Sequence, residues 1–233
     1  MSLFDRRENG RERVLKVKKG VLHAGASGFF YPSWRGDFYP PGLKSEEFLR
    51  FYADRLPSVE INSTFYQIPS EATFERWAEV TPAGFRFSVK MNRRILWNAG
   101  LAGTFCERAR LLGNRLGPIR IVLAQKRDDG WLRLLLGSLD PELRYAFELR
   151  HASWGGVEDV LAESGAVLVG AHDAGPPFRY LRFREPPYDE TALTGLAGQI
   201  RPFLAQGIDV YAYFKHENEP TAPASAHRLR ELV

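Results

Sequence analysis

Short runs of strand-forming residues alternate with helix-like segments from residue 21 to the end of the chain. Within most runs apolar and polar side chains alternate, which is typical of strands that present two different faces. Eight runs stand out, at residues 21–26, 58–62, 85–90, 119–124, 144–149, 166–171, 179–184 and 209–214. The pattern therefore predicts eight strands with helices between them.

Two intervening segments have the apolar spacing of an amphipathic helix. One stripe contains Phe105, Ala109, Leu112 and Leu116, and the other contains Leu193, Leu196, Ile200, Phe203 and Leu204. Ser45 and Ser70 are predicted N-caps of two further helices, because a serine oxygen can accept from the free amides of a first turn.

Eight strands alternating with helices predict an α/β fold, a TIM-like (β/α)8 barrel with one parallel sheet. The connection between the sixth and seventh strands, around residues 172–178, is too short for a helix, so it is expected to be helix-less. A doubly wound open sheet is the alternative. With no internal repeat or linker, residues 21–233 are expected to form a single barrel domain.

The two faces of each strand have different surroundings in a barrel, since one packs on the helices and the other lines the interior. The apolar set is therefore expected to point outward: Val59, Ile61, Phe85, Phe87, Val89, Tyr145, Phe147, Leu149, Val167, Val169, Leu181, Phe183, Val210, Ala212 and Phe214. The intervening polar side chains then point inward, many of them at the C-terminal ends of strands, where barrel enzymes build their sites.

This inward set is the candidate site: Glu60, Asn62, Lys90, Glu148, His172, Arg182, Arg184 and Lys215, with Arg150, His151 and His216–Glu217 just beyond strand ends. Two interpretations stay open at this point. The charges form a ligand-binding or catalytic site, or they form a buried ion-pair network, in which each charge is present because an unpaired buried charge is costly.

Net charge changes the picture only at the N-terminus. The chain has 233 residues and a net charge of +4, and residues 1–20 alone hold seven basic and three acidic side chains, so the remainder is neutral. We interpret residues 1–20 as a flexible basic arm. Cys106 is the single cysteine, which excludes intramolecular disulfides and multi-cysteine metal sites. Without an apolar segment of membrane-spanning length or a signal peptide, a cytoplasmic protein is expected.

Several motifs resemble the YecE-like family of domains of unknown function. The opening residues Gly25-Ala26-Ser27-Gly28, Tyr31-Pro32-x-Trp34-Arg35-Gly36 and Phe38-Tyr39-Pro40 are similar, and the segment 59–66, VEINSTFY, is the most specific signature. The similarity continues in order through Trp77, the segment 81–90, Glu148-Leu149-Arg150-His151-x-Ser153-Trp154 and the segment 209–214. It covers nearly all of residues 21–233.

The resemblance implies a TIM-like barrel and no settled reaction. Its recurrent polar residues map onto Glu60, Asn62, Lys90, Glu148, Arg150, His151 and Trp154. The chain departs from the family pattern after strands seven, eight and four, with Arg182-Phe183-Arg184-Glu185, Lys215-His216-Glu217 and Gln125-Lys126-Arg127. The first two departures bring cations to the barrel mouth and put direct transfer of a mechanism in doubt.

Phosphate-bearing ligands, either a nucleotide or a nucleic-acid strand, are the first functional hypothesis, with phosphodiester hydrolysis as a possible reaction. Barrels often bind phosphate after strands seven and eight, and arginine offers a forked match to phosphate oxygens. The aromatic residues available for base stacking are Trp34, Phe29, Phe30, Tyr31 and Trp97, and the further rim cations are Arg93, Arg94, Lys126 and Arg127.

The roles predicted for individual residues follow from this hypothesis. The catalytic candidates are Glu60, Glu148, Lys90 and His151. The ligand-binding candidates are Asn62, Trp34, Arg150, Trp154, His172, Arg182, Arg184, Lys215 and His216. No residue is assigned to a metal, although imidazoles and carboxylates near strand ends leave a divalent metal as an open alternative.

Two other functions stay open. In a sugar-processing enzyme Glu60 and Glu148 would act as the acid and base pair, with Trp34 or Trp154 stacked on a sugar ring. Finding both glutamates in direct ion pairs with no pocket beside them would count against that reading. A non-catalytic binding or scaffold protein would be favoured by a barrel mouth filled by Trp34 and its loop.

Overall fold

The computed structural model of the protein describes residues 18–171, 177–215 and 220–233. Eight parallel strands make one sheet: β1 (Leu22–Ala26), β2 (Ser58–Ile61), β3 (Arg86–Lys90), β4 (Leu116–Leu123), β5 (Tyr145–Leu149), β6 (Val167–Leu168), β7 (Phe178–Phe183) and β8 (Asp209–Phe214). All eight lie within three residues of the predicted ends at both termini, although β6 has only two residues.

The sheet forms a nearly closed barrel, which confirms the predicted TIM-like (β/α)8 fold. The strand order is β6-β5-β4-β3-β2-β1-β8-β7, so β1 pairs with both β2 and β8. At the remaining seam, between β6 and β7, Gly170 N donates to Tyr180 O at 2.9 Å. Residues 169–171 and 177, the described part of the sixth connection, contain no helix.

Within the described ranges, seven α-helices lie between or after the strands: α1 (Phe48–Ala53), α2 (Glu71–Glu79), α3 (Leu101–Ala109), α4 (Asp129–Ser138), α5 (Glu158–Glu163), α6 (Glu190–Ala205) and α7 (Thr221–Leu232). Ser70 caps α2 as predicted, since its Oγ accepts from Thr73 N at 3.3 Å. The prediction for Ser45 is wrong. Ser45 lies inside a 3-10 helix that follows Lys44, and its Oγ accepts from Arg35 instead.

The main core lies between the barrel and its helices. On β2, β3, β5, β7 and β8 the predicted outward residues are packed there, among them Ile61, Phe87, Phe147 and Phe214. The prediction for β6 is wrong, because Val167 and Val169 pack inside the barrel. The register of the sheet explains the error. Val167 pairs with Ala146, and Ala146 faces the barrel interior because its sequence neighbours Tyr145 and Phe147 face the helices. Paired residues of adjacent strands share a face, so Val167 also points inward.

The barrel interior changes character along the strands. Towards their N-terminal ends it is aromatic, with Phe178 and Tyr211 in edge contact at 5.9 Å. Next comes a hydroxyl layer, where Tyr213 lies within hydrogen-bond distance of Ser58 and Ser88. The charged side chains lie beyond it, towards the C-terminal ends. The fold therefore places them at one mouth of the barrel.

The predicted N-terminal arm falls mostly outside the described residues. Its last residue, Gly20, donates its amide to Leu204 O at 2.8 Å, which ties the chain to α6 just before β1 begins. In the part of the chain that the structure describes, none of the helices is long and apolar enough to cross a bilayer.

Candidate functional site

Four strands contribute the central charges of the site. Glu60 comes from β2, Arg120 from β4, Glu148 from β5 and Arg182 from β7. Glu60, Glu148 and Arg182 are the penultimate residues of their strands, and Arg120 lies three residues before the end of β4. All four face the interior, where a parallel barrel brings side chains from distant parts of the chain together. The sequence order of these residues spans more than 120 positions, so only barrel closure unites them.

Glu60 is fully buried, and polar side chains surround its carboxylate. Arg182 donates to it through two nitrogens, at 2.8 and 2.9 Å, in a forked arrangement. Ser27 and Tyr180 donate their hydroxyls at 2.8 and 2.9 Å, and the Arg120 Nε lies 3.1 Å away. Burial alone would raise the pKa of Glu60, but Arg120, Arg182 and these hydrogen bonds outweigh it and lower the pKa to about 2.

Four arginines surround the carboxylate of Glu148. Arg120 and Arg184 contact its two oxygens, and Arg150 Nε donates at 2.8 Å. Arg182 lies at 3.4 Å. Burial again raises the pKa, and the arginines overcome this and lower the pKa of Glu148 to about 2. Both glutamates are therefore anionic at neutral pH and unsuited to donate a proton.

Arg120 joins the two carboxylates and was missed by the sequence analysis. Its side chain is 1% exposed, and it also donates to Asn62 Oδ1 at 2.7 Å. The signal is nevertheless present in the sequence. Arg120 is the single charged residue in an otherwise apolar run, and it lies between Ile119 and Ile121, which both face the helices. The same alternation that identified Glu60 places it inside the barrel.

A pocket of about 330 Å³ opens above this network at the mouth. Its described lining consists of Ser27, Tyr31, Asn62, Lys90, Arg120, Arg150, Arg182, Arg184 and Lys215. Glu60 and Glu148 lie behind the arginines and do not belong to this lining. Four arginines share two carboxylates, and Lys90 adds another positive charge. The surface presented to a ligand is therefore strongly cationic.

Lys90 has an environment unlike that of an ordinary surface lysine. Its Nζ lies 3.5 Å from the centroid of the Phe65 ring, a cation–π contact. Burial, followed by repulsion from Arg120 and Arg150, lowers its pKa to about 8, against the attraction of Glu148 and Glu60. Lys90 therefore changes charge close to neutral pH.

The predicted site residues divide into three groups. Eight of them converge on the network and pocket: Glu60, Asn62, Lys90, Glu148, Arg150, Arg182, Arg184 and Lys215. Three lie beside it, namely Trp34, His151 and Trp154. His172 and His216 lie outside the described residues.

The three neighbouring residues support loops. Trp34 is fully buried and packs on Tyr31 at 4.6 Å, behind the pocket wall. Trp154 is buried as well, and its Nε1 donates to Gln125 O at 2.8 Å, which joins the loops after β4 and β5. His151 Nδ1 accepts from Ser153 N at 3.1 Å and caps a short 3-10 helix. The mouth is thus not filled by Trp34 and its loop.

Metal binding was left open by the sequence. Among the residues that the structure describes, no three His, Cys, Asp or Glu side chains are grouped so that they could hold a metal ion. The two carboxylates behind the pocket wall, those of Glu60 and Glu148, are instead paired with arginines. His172, His216 and Glu217, which the sequence places near strand ends, fall outside that part of the chain.

Comparison with known proteins gives one family and several structural relatives. A family model described as protein of unknown function DUF72 matches residues 23–233. The UPF0759 protein YunF of Bacillus subtilis (strain 168) is 38% identical over 52 residues, which cover 22% of this chain and 18% of that protein. This segment is a small part of the relative's length and carries no activity with it.

Solved structures show the same barrel. A DUF72 family protein from Thermotoga maritima MSB8 superimposes with a TM-score of 0.75 and 23% identity, over 91% of this chain and 98% of that one. A D-psicose 3-epimerase crystallised in the presence of D-fructose superimposes with a TM-score of 0.52 and 10% identity, over 91% and 89%. At these identities the likeness concerns the fold alone.

Proposed function

Because the chain belongs to the DUF72 family of proteins of unknown function, we propose a function from the geometry of the mouth: the pocket binds a ligand that carries a phosphate group. The observation that carries this proposal is the lining, in which cations from five strands or their ends face the pocket while both carboxylates lie behind them. We also infer that the YecE-like resemblance and the DUF72 match describe one family, since both cover nearly the whole barrel.

Arginine favours phosphate over other anions at this position. Arg182 and Arg184 follow from the seventh strand, where barrels commonly bind phosphate, and their planar guanidinium groups match phosphate oxygens in pairs. Arg184 and Arg150 are partly exposed, so each can add a ligand contact while it still holds Glu148. If the carboxylates neutralised all the arginines, the pocket would not attract an anion. Four arginines share two carboxylates here, so a net positive charge remains.

A sugar-processing function receives less support. It requires one carboxylic acid that is protonated at the start of the reaction and a second that is free to act as a base or nucleophile. Glu60 and Glu148 both have a pKa of about 2 and are covered by arginines. The pocket beside them presents cations rather than either carboxylate.

Exposed aromatic rings extend the proposal to nucleotides and nucleic-acid strands. Phe30, Tyr66 and Trp97 are exposed and lie in the loops that follow β1, β2 and β3. Arg93 lies over the Tyr66 ring at 5.6 Å, and Tyr66 meets Phe65 at 5.2 Å, next to Lys90. A path of rings and cations therefore leads outward from the pocket, as bases and phosphates of a strand require.

Phosphodiester hydrolysis is the reaction that we propose for such a ligand, with Lys90 as the group that transfers a proton. Because its pKa is about 8, both the protonated and the neutral form of Lys90 are populated near neutral pH, as proton transfer requires. Glu60 and Glu148 then act as counter-charges that position Arg182 and Arg184. Turnover of an oligonucleotide by the wild-type chain, and its loss in Lys90→Met at oligonucleotide concentrations that saturate the variant, would support this step.

Binding is tested by titrating the protein with inorganic phosphate, a nucleoside monophosphate and a short single-stranded oligonucleotide at low and high salt. We expect salt-dependent binding, and in Arg184→Gln an affinity about 10- to 100-fold lower, because one charge-assisted contact is worth roughly 1.5–3 kcal/mol. Calorimetry measures the first two probes and fluorescence anisotropy the third.

The matched control is Arg228→Gln. The side chains of Arg184 and Arg228 are 43% and 42% exposed, and each pairs with a glutamate, but Arg228 lies on α7. This variant should bind as the wild type does. Binding of none of the three probes at low salt, or equal loss in the two variants, would contradict the proposal.

Affinity for an anion should also depend on pH. Lys90 is charged below its pKa of about 8 and neutral above it, so the affinity should fall as the pH rises from 7 to 9.5. Sulfate is the suitable probe, because it does not itself titrate in this range. We expect a decrease of roughly tenfold, the loss of about one charged contact.

Lys90→Met separates this effect from a general change in protein charge. The variant should bind sulfate weakly at pH 7 and show little further loss up to pH 9.5. A wild-type profile that is flat, or a variant that retains the wild-type slope, would show that Lys90 does not face the bound anion.

A further inference from the structure

A second and larger pocket lies at the opposite end of the barrel. It has a volume of about 900 Å³, and it opens where β1, β3, β4 and β8 begin. Its wall includes His23 and Tyr211, whose rings stack with centroids 4.7 Å apart. The network at the mouth lies at the other ends of these strands, so the two pockets share no lining residue.

Cations dominate this pocket too. Arg86 and Arg144 line it, together with the exposed Lys18 and Lys19. Among the residues that the structure describes, Arg86 Nη1 donates to the main-chain oxygens of Ala83 at 3.2 Å and Phe85 at 3.0 Å, and its guanidinium pairs with no carboxylate there.

The acidic side chains of the lining already have partners. Asp209 accepts from Arg144 Nη1 at 3.0 Å and from Val21 N at 3.0 Å. Glu142 accepts from Arg110 at 2.7 Å. With both carboxylates engaged, the charges of Arg86 and of the two lysines are not balanced within the described wall.

The pKa of His23 reflects its burial and this excess of positive charge. The side chain is 6% exposed, and its Nδ1 has no hydrogen-bond partner among the described residues. Burial lowers its pKa to about 4, helped by Arg86 on β3 and by Arg144 before β5, and opposed by Asp209 on β8. The imidazole is therefore neutral at pH 7 and lies within electrostatic range of both arginines.

We propose that this pocket is a second anion site, which takes a phosphate group between Arg86 and Arg144 above the His23–Tyr211 stack. Forked guanidinium groups match phosphate oxygens, and Lys18 and Lys19 add charge at the opening. The volume exceeds what an inorganic ion needs, which points to a phosphomonoester of a small molecule. This site is independent of the function proposed for the mouth.

His23 provides a direct readout, because an anion between the two arginines offsets their repulsion of its protonated form. We expect millimolar phosphate to raise the pKa of His23 by roughly one pH unit, measured by NMR of the imidazole resonances. Titrations with inorganic phosphate and with a sugar phosphomonoester distinguish the two sources, and sodium chloride at equal ionic strength gives the reference.

Variants assign the effect to this pocket. Arg86→Gln should abolish the rise, whereas Arg115→Gln should retain it, since Arg115 also donates to main-chain oxygens but lies outside the lining. Lys18→Gln with Lys19→Gln gives a second test on exposed side chains, and should weaken phosphate binding several-fold without affecting folding.

The response must also persist in Arg184→Gln, whose substitution lies at the mouth. If the pocket at the mouth binds no phosphate, phosphate should still raise the pKa of His23. If the pocket beside His23 binds no phosphate, binding at the mouth should be unchanged. An unchanged pKa of His23 in saturating phosphate, or an equal rise in Arg86→Gln, would overturn the second site.

Discussion

Replacing Arg120 with methionine should lower the free energy of unfolding by about 3–5 kcal/mol, the usual cost of removing one partner from a buried ion pair. Arg120 is almost completely buried and contacts both Glu60 and Glu148. Methionine fills part of its volume but leaves each carboxylate with less compensating charge. Urea unfolding followed by circular dichroism at pH 7 measures the change.

The control for this prediction is Arg110→Met. Arg110 also pairs with two carboxylates, those of Asp140 and Glu142, but it lies at the surface. Solvent screens such pairs, so its loss should leave the free energy of unfolding nearly unchanged. Similar effects for the two methionine variants would mean that the interior network does not carry the stability assigned to it.

Acid should remove the stabilisation that Glu60 and Glu148 provide. Each pKa is lowered from 4.5 to about 2, so the contribution is fully present above pH 4.5 and is lost as the pH falls towards 2. A difference of this size corresponds to roughly 3 kcal/mol for each group. The two contributions are coupled through Arg120 and need not add.

Unfolding curves at several pH values between 7 and 3 test this for wild type and Glu148→Gln. The variant should be the less stable at pH 7, and the difference between the two should narrow on acidification, since glutamine has no proton to gain. Glu231→Gln, at an exposed glutamate on α7, should follow the wild-type curve. Parallel curves for wild type and Glu148→Gln would contradict the lowered pKa.

Most of the fold could be predicted from alternation. The run 209–214 coincides with β8, and the runs 58–62 and 85–90 are within a residue of β2 and β3. Alternation works there because each strand has one face on the helices. It fails at β6, where two paired residues are too few to define a period and the pairing of Val167 with Ala146 decides which face is inside.

The sequence predicted which charged side chains of the candidate site point into the barrel, but it did not predict which of them form ion pairs. Glu60, Lys90, Glu148 and Arg182 were placed inside the barrel from their positions on strands. Arg120 obeyed the same rule and was overlooked because its apolar neighbours dominate the run. Nothing local could show that Trp34 supports the wall behind Tyr31, since that depends on how the loop after β1 folds onto the helices.

By itself, the sequence determined the number of strands, most of their faces and the convergence of charge on one mouth, because strand periodicity and parallel closure are local and geometric constraints. Only the tertiary structure decided which charges neutralise one another. Barrel closure places Glu60 and Glu148 behind four arginines and leaves the cations facing the pocket. Ion pairing depends on distances of a few ångströms between strands far apart in the chain, and no sequence spacing specifies them.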